Sequence, residues 1–150
     1  MQNNIIIRKA RLIDIDILCD LLSGLFAVET DFNAGYRKQD RALYLLINDD
    51  NKDVFVAADG AVIAGMITGQ TVVSTAAGGL SVLLEDLFVV PGYRGKGIAT
   101  MLMRHLLLWG KAKGAVRVQL VADERNPAAL DLYKKAGFAL SNMRGLYKFI

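Results

Sequence analysis

The sequence has little of several residue types, and each shortage excludes a class of protein. Its 150 residues include one cysteine, one histidine and two prolines. A single cysteine excludes an intrachain disulfide, and few prolines with 53% hydrophobic residues exclude a disordered or linker-dominated chain. We therefore expect one compact domain over residues 1–150, with a complete hydrophobic core.

Charge of one sign and long apolar runs are also scarce. Eighteen basic and fifteen acidic residues leave a net charge of +3, without the basic run that predicts a nucleic-acid partner. No segment approaches the roughly 20 apolar residues that span a bilayer, and the N-terminal run is too short for a signal sequence. We expect a cytoplasmic protein without a membrane partner. One histidine, one cysteine and no clustered carboxylates predict no metal site.

Hydrophobic periodicity predicts an α/β (α+β) chain with the element order βααβββαβαββ. The predicted strands cover residues 4–9, 53–58, 61–73, 80–90, 115–122, 138–140 and 146–149. The predicted helices cover residues 17–25, 37–47, 98–113 and 127–136. The order has no internal repeats, and it favours one α/β domain.

A loop with two glycines is the most informative segment. Arg94-Gly95-Lys96-Gly97-Ile98-Ala99 follows an apolar strand and opens an amphipathic helix. Glycines at 95 and 97 let several backbone N–H groups converge on one anion at the start of the helix. The loop is therefore predicted to bind a pyrophosphate.

Two motifs in this order resemble the GCN5-related N-acetyltransferase (GNAT) family. The loop is similar to the family's Arg/Gln-x-x-Gly-x-Gly/Ala motif through Arg94, Gly97 and Ala99. A later helix is similar to its Asn…Tyr…Gly-Phe motif through Asn126, Tyr133, Gly137 and Phe138. The resemblance implies the acyl-CoA N-acyltransferase fold: a mixed central sheet of about seven strands, splayed open at the cofactor strand, with four helices.

By this resemblance the cofactor is acetyl-CoA, with CoA as the product. Backbone N–H groups of the loop would bind the pyrophosphate, and the pantetheine arm would pair like an added strand with residues 87–89. In the family the sheet opens there, typically at a bulge. The residues that the resemblance assigns to the cofactor are Leu87, Phe88, Val89, Arg94, Gly95, Lys96, Gly97, Ile98, Ala99, Thr100, Asn126, Ala129 and Tyr133.

Acetyl transfer to an amine needs a proton acceptor, and two carboxylates are candidates. Glu85 comes first, because a carboxylate inside an apolar run is costly without a purpose. Asp86 is the rival, since consecutive strand residues face opposite sides and only one of them would point into a given cleft. The segment 84–89 resembles a strand of diamine (spermidine/spermine) N-acetyltransferases, in which the matching glutamate handles the amine. A structural ion pair or a cap is the alternative role for Glu85.

The resemblance assigns the general acid to Tyr133, whose hydroxyl would lie beside the CoA sulfur. An aromatic core residue with a satisfied hydroxyl is the alternative, since Ala129, Tyr133 and Ala136 share one helical stripe. A backbone N–H near Leu87 would stabilise the oxyanion.

The resemblance implies that the acceptor amine is recognised by the segment between the first two helices, residues 26–41, and by the loop before the cofactor strand, residues 71–79. Carboxylates and aromatic rings there suit a cation, although an ordinary solvated loop is an equal alternative. Together with Glu85 and Asp86, the predicted substrate-binding residues are Glu29, Asp31, Phe32 and Tyr36. We expect direct attack by the primary amine of a small polar molecule in a ternary complex. The alternatives are a protein or peptide N-acetyltransferase and a non-catalytic acetyl-CoA-binding module. A homodimer is also expected, with the apolar end Phe149-Ile150 pairing across subunits.

Overall fold

The computed structural model describes residues 4–150, which divide into two compact units. The first unit ends at Leu120, and the second covers Val121–Ile150. One domain over residues 1–150 stays a prediction. Among the helices of residues 4–150, none combines the length and the apolar character needed to cross a bilayer.

The described part of the first unit, residues 4–120, contains five strands and three α-helices. The strands are β1 (Ile5–Lys9), β2 (Lys52–Asp59), β3 (Val62–Ser74), β4 (Gly79–Val89) and β5 (Arg117–Gln119). The helices are α1 (Ile15–Phe26), α2 (Tyr36–Ile47) and α3 (Ile98–Ala112). Short 3-10 turns at Leu12–Asp14 and Pro91–Tyr93 precede α1 and the loop before α3.

The five strands form one mixed sheet in the order β1-β2-β3-β4-β5. The first four strands are antiparallel to their neighbours, and β5 is parallel to β4. The parallel pair follows from the α3 crossover, because two parallel neighbours cannot be joined by a tight turn. The predicted mixed sheet and antiparallel β2-β3-β4 run are confirmed, whereas the prediction of about seven strands is wrong.

Two corrections explain the smaller sheet. The predicted strands at 138–140 and 146–149 are absent from the described residues, which have no regular element after residue 135. The predicted strand at 115–122 is shortened to β5, because it pairs only with residues 81–83 of β4. A short apolar run is compatible with an extended backbone, but a strand also needs a ladder partner, which the local sequence does not specify.

The second unit contains one helix, α4 (Pro127–Lys135), close to the predicted span of 127–136. Asn126 caps it, since its side-chain oxygen accepts from the N–H of Ala129 at 3.1 Å. Pro127 occupies the first turn, where its missing N–H costs no helical hydrogen bond. Gly137 follows the helix with φ +92°, as expected of a helix-terminating glycine.

Hydrophobic residues cover both faces of the sheet. On one face, α1 and α2 pack Leu18 and Leu43 against Val56, Met66 and Phe88. On the other face, α3 packs close to the strands: a Cβ at Gly69 would lie 2.5 Å from Leu106 Cδ1. Successive side chains of β2, β3 and β4 point to opposite faces, so one face of the sheet packs on α1 and α2 and the other packs on α3.

Candidate active site

The loop from Arg94 to Thr100, called here the anion-binding loop, joins the sheet to α3. Gly95 and Gly97 have φ values of +75° and +78°, a left-handed conformation that residues with a Cβ rarely adopt. Gly97 is also the N-cap of α3 and offers no capping side chain. The two glycines therefore turn the backbone so that its own N–H groups, rather than a side chain, lie at the start of the helix.

The N–H groups of this loop from Gly95 onward have no intramolecular acceptor, whereas the Arg94 N–H donates to the carbonyl of Pro91 at 3.2 Å. Within residues 4–150, the first helical bond of α3 is donated by Met101 to the carbonyl of Gly97, and none of the six N–H groups from Gly95 to Thr100 donates to a protein atom. A Cβ built on either glycine would meet no atom within 4 Å. Six adjacent donors at the positive end of a helix are suited to an anion.

Contacts from the neighbouring strands stabilise the loop. The Tyr93 hydroxyl donates to Asp59 Oδ2 at 3.0 Å, a bond that raises the pKa of Tyr93. Arg94 Nε donates to the carbonyl of Val89 at 2.9 Å, and its guanidinium lies 5.4 Å from the centroid of the Phe88 ring. Asp59 was not among the predicted site residues, because nothing in the sequence links the β2–β3 turn to this loop.

The cationic side chain of the loop is held over an aromatic ring. Lys96 Nζ lies 4.8 Å from the centroid of the Tyr93 ring. A cation–π contact at this distance orients the ammonium without neutralising its charge. The Lys96 ammonium therefore lies in the same loop as the exposed glycines Gly95 and Gly97.

β4 loses its parallel neighbour before it reaches the anion-binding loop. Its pairing with β5 covers only residues 81–83, so residues 84–89 have no strand on this edge within residues 4–120. On the opposite edge, β4 stays paired with β3 as far as Val89. The backbone of Leu87, Phe88 and Val89 thus presents an open edge, the feature that lets an extended ligand pair with a strand.

A β-bulge interrupts β4 at this point. Met66 pairs with Phe88 and Thr68 pairs with Glu85, so two steps along β3 match three steps along β4. Asp86 has φ +54°, the one positive φ of a residue other than glycine among residues 4–150. Asp86 is therefore part of the bulge in β4.

The bulge places two consecutive carboxylates on one face of the sheet. Glu85 is the cross-strand partner of Thr68, and cross-strand partners share a face. The Thr68 hydroxyl donates to Asp86 Oδ2 at 3.0 Å, which brings Asp86 to the same face. The prediction that Glu85 and Asp86 face opposite sides is therefore wrong, since it assumed a strand without a bulge.

Both carboxyl groups hold their protons more tightly than usual. Partial burial, and then the negative charge of Asp86, raise the pKa of Glu85. Burial also raises the pKa of Asp86, against the lowering effect of the hydrogen bond from Thr68. A carboxylate with a raised pKa is a stronger base, and Glu85 is exposed enough to meet a substrate.

The segment between α1 and α2 contains an interaction that the sequence did not predict. Tyr36, at the start of α2, donates its hydroxyl to Asp16 of α1, which raises the pKa of Tyr36 to about 12. Phe32 packs on Phe26 with 5.8 Å between ring centroids. Of the other predicted acceptor residues, Glu29 is half-buried and Asp31 is exposed.

The second unit carries the remaining predicted site residues on α4. The side-chain oxygen of Asn126 accepts the capping hydrogen bond from the Ala129 N–H, and the amide of Asn126 also has two N–H donors. Tyr133 is half-buried, and its ring contacts Phe138 edge-on with 6.0 Å between centroids. Among residues 4–150, no group of three or more histidine, cysteine, aspartate or glutamate side chains is placed to bind a metal ion.

Comparison with known proteins identifies the class to which this site belongs. The profile of the Acetyltransferase (GNAT) family matches residues 18–138. The chain therefore belongs to the GNAT acetyltransferase family. The match includes the anion-binding loop, the bulged strand and α4.

Two relatives and two solved structures illustrate the similarity. Streptothricin acetyltransferase of Streptomyces lavendulae is 35% identical over 63% of this chain and 48% of that protein. Streptothricin acetyltransferase of Escherichia coli is 28% identical over 79% of this chain and 64% of that protein. The chain thus spans less than two thirds of the length of either relative.

The structural neighbours show the same fold at low sequence identity. A transcriptional regulator from Bacillus halodurans C-125 has a TM-score of 0.86 and 23% identity, over 98% of this chain and 100% of that chain. An aminoglycoside N-acetyltransferase in complex with CoA has a TM-score of 0.84 and 18% identity, over 99% of this chain and 97% of that chain.

Proposed function

We propose that this protein is an acetyl-CoA-dependent N-acetyltransferase that transfers an acetyl group to the primary amine of a small polar molecule. The observation that carries the proposal is the row of six N–H groups from Gly95 to Thr100 without an intramolecular acceptor. Such a row is typical of a pyrophosphate site, and it directly follows a strand with an open edge.

The residues present fit CoA. Backbone N–H groups from Gly95 to Thr100, next to Arg94, would bind its pyrophosphate, and the charge of Lys96 supports an anion there. The open edge at Leu87, Phe88 and Val89 suits a pantetheine arm, which carries amide groups that pair with a strand. The family resemblance also assigns Asn126, Ala129 and Tyr133 to the cofactor, and we keep these assignments as part of the proposal. Two GNAT structures of this fold, an aminoglycoside acetyltransferase and a Clostridium acetobutylicum protein, contain CoA and acetyl-CoA.

Glu85 is proposed as the base. An alkylamine with a pKa of about 10.4 is neutral in about one part in 2500 at pH 7, a penalty of about 4.6 kcal/mol. The exposed carboxylate of Glu85, whose pKa is raised, would take up the ammonium proton directly or through one water. Bound acetyl-CoA supplies the activated acetyl group that the neutral amine attacks.

Two further groups are proposed to complete the proton and charge balance. The backbone N–H near Leu87, beside the bulge, would stabilise negative charge on the acetyl oxygen. Tyr133 would return a proton to the departing thiolate. A phenol of pKa about 10 donates to a thiolate of pKa about 8.5 at a cost of about 2 kcal/mol, which is small beside a chemical barrier.

A cationic acceptor is favoured by the charge of the site. Glu85 and Asp86 put two carboxylates on one face, where an ammonium group neutralises charge that is otherwise held at a cost. Glu29, Asp31, Phe32 and Tyr36 are proposed to contact the rest of the acceptor. The names of several relatives, streptothricin and thialysine acetyltransferases among them, also specify amine-bearing small molecules.

Two measurements test the proposal. Calorimetry of the purified protein with CoA should give a saturable heat at micromolar to millimolar ligand, and its absence would refute the CoA site. Release of free thiol from acetyl-CoA should then be measured with polyamines, amino sugars, lysine analogues and peptides. Turnover with small amines supports the proposal, turnover with peptides alone indicates a peptide acetyltransferase, and binding without any turnover indicates a non-catalytic module.

A further inference from the structure

Thr68 is a polar residue in the most buried part of β3, and the site described so far does not use it. Thr68 is 1% exposed, and its neighbours Met66 and Ile67 are fully buried apolar residues. A buried hydroxyl is unfavourable unless it is hydrogen-bonded, and this hydroxyl donates to Asp86 Oδ2 at 3.0 Å. The hydroxyl thus has one identified partner, and that partner is the left-handed residue of the bulge.

The hydrogen bond of the Thr68 side chain does not go to the backbone partner of Thr68 on β4. Thr68 pairs through the backbone with Glu85, yet its side chain bonds to the next residue of β4, Asp86. Asp86 has φ +54°, which is unfavourable for a residue with a Cβ unless the surroundings stabilise it. The Thr68 hydroxyl ties β3 to the extra residue of the bulge and so opposes its relaxation.

The bulge sets the orientation of everything that follows on β4. Beyond it, Phe88 pairs with Met66 and packs on Gly24 of α1, and a Cβ at Gly24 would lie 2.8 Å from the Phe88 ring. A shift of one residue would exchange the faces of the side chains and the directions of the N–H groups. The direction of the Leu87 N–H therefore depends on the bulge.

We propose that Thr68 is a positioning residue for acetyl transfer, whose hydroxyl holds Asp86 and thereby fixes the bulge that orients Glu85 and the backbone of residues 87–89. This inference rests on the proposed function. Thr68 does not contact the reacting atoms, so it acts through Asp86. The sequence signal for it is a threonine inside the apolar run of β3, opposite the two acidic residues of β4.

Substitution at Thr68 tests the proposal in the full chain. Thr68→Val keeps the shape and removes the hydroxyl, and it should lower kcat with the best amine by about tenfold. Thr68→Ser keeps the hydroxyl and should stay within about twofold of wild type. Ile63→Val, a buried one-methyl change elsewhere on β3, controls for a general loss of stability and should leave kcat unchanged.

A second substitution separates positioning from a merely structural effect. Glycine adopts φ +54° freely and offers no carboxylate, so in an Asp86→Gly background the hydroxyl has no bond to lose. Adding Thr68→Val to Asp86→Gly should then change kcat by less than about twofold, in contrast to its effect in wild type. Equal effects in both backgrounds would overturn the proposal.

Hydrogen exchange provides a readout that does not depend on turnover. Amide exchange at residues 85–88 should be at least about tenfold faster in Thr68→Val than in wild type, with no such change in Thr68→Ser. Wild-type kcat and unchanged exchange in Thr68→Val would overturn the positioning role while leaving the proposed function intact. A wild-type protein that fails to bind CoA in calorimetry would refute the proposed function, and the positioning role with it.

Discussion

At the residue scale, the charge of Glu85 costs the fold stability, and the proposed function assigns that charge to catalysis. Burial and the neighbouring Asp86 raise the pKa of Glu85, so its carboxylate forms at a higher pH than that of an ordinary glutamate. We predict that Glu85→Gln lowers kcat/KM at neutral pH by about 100-fold. The loss should shrink as pH rises toward the pKa of the amine, which then deprotonates unaided. Initial rates of thiol release between pH 6 and 10 measure this profile.

The same substitution should have the opposite effect on stability. A raised pKa means that the folded protein binds this proton more tightly than the unfolded chain does, so ionisation at neutral pH destabilises the fold. Glu85→Gln should therefore raise Tm at pH 7.5, and the difference should vanish below the unfolded-state pKa of glutamate. Glu124→Gln, at an exposed position, is the matched control. An unchanged rate profile would remove Glu85 from the role of base.

Tyr133 is tested by removing one atom. Tyr133→Phe deletes the hydroxyl and keeps the ring that packs on Phe138. We expect kcat to fall by 10-fold to about 100-fold, with the Kd for CoA unchanged within about twofold, because the proton is needed only when the thiolate departs. Tyr44→Phe, at an exposed tyrosine of α2, should have no effect. Equal rates for Tyr133→Phe and wild type would assign Tyr133 to the core aromatic role.

At the scale of elements, α3 has a glycine with positive φ at each end, and only the one at its start belongs to the anion-binding loop. Gly97 and Gly114 have φ values of +78° and +83°, and a Cβ at either would meet no atom within 4 Å. Alanine at either position should cost about 1 kcal/mol of unfolding free energy. Only Gly97→Ala should weaken CoA binding, by about tenfold or more in calorimetric Kd. Equal affinities in the two variants would exclude the loop as the pyrophosphate site.

The elements also show what periodicity can and cannot predict. The span of α3 and the cap at Asn126 were predictable because they depend on neighbours in sequence. The bulge at Asp86 was not, since it arises from the pairing of Thr68 with Glu85 rather than from local pattern. The same reason accounts for the strands predicted at 138–140 and 146–149, where apolar residues are concentrated but no ladder forms in the described residues.

In the candidate site, too, the features that depend on local sequence were predictable and those that depend on distant partners were not. Gly95 and Gly97 were identified because glycine adopts the left-handed backbone, which exposes the N–H groups, far more readily than other residues do. Thr68, Asp59 and Asp16 were missed, because each acts through a partner distant in sequence. Long-range pairing therefore contributes most of the information that the sequence pattern lacks.

At the scale of the whole molecule, the exposed apolar surface at the C-terminus supports the expected homodimer. Phe149 is 82% exposed, and Leu140, Met143 and Leu146 are also exposed. Such a concentration of apolar side chains in one short segment is unusual for the surface of a monomer. We predict a dimer in light scattering coupled to size exclusion at micromolar protein.

Phe149→Asp should weaken that dimer. Burying a phenylalanine contributes about 1.5–3 kcal/mol. Because about 1.4 kcal/mol is a factor of ten in Kd, the variant should raise the dimer Kd by at least about tenfold. Leu108→Asp, at an exposed leucine of α3, introduces the same charge on the first unit and should leave the Kd unchanged. A monomeric wild type, or equal dissociation constants for Phe149→Asp and wild type, would exclude this segment as the interface. CoA affinity should be retained in the Phe149→Asp monomer, because the anion-binding loop and the open edge of β4 both lie within the first unit.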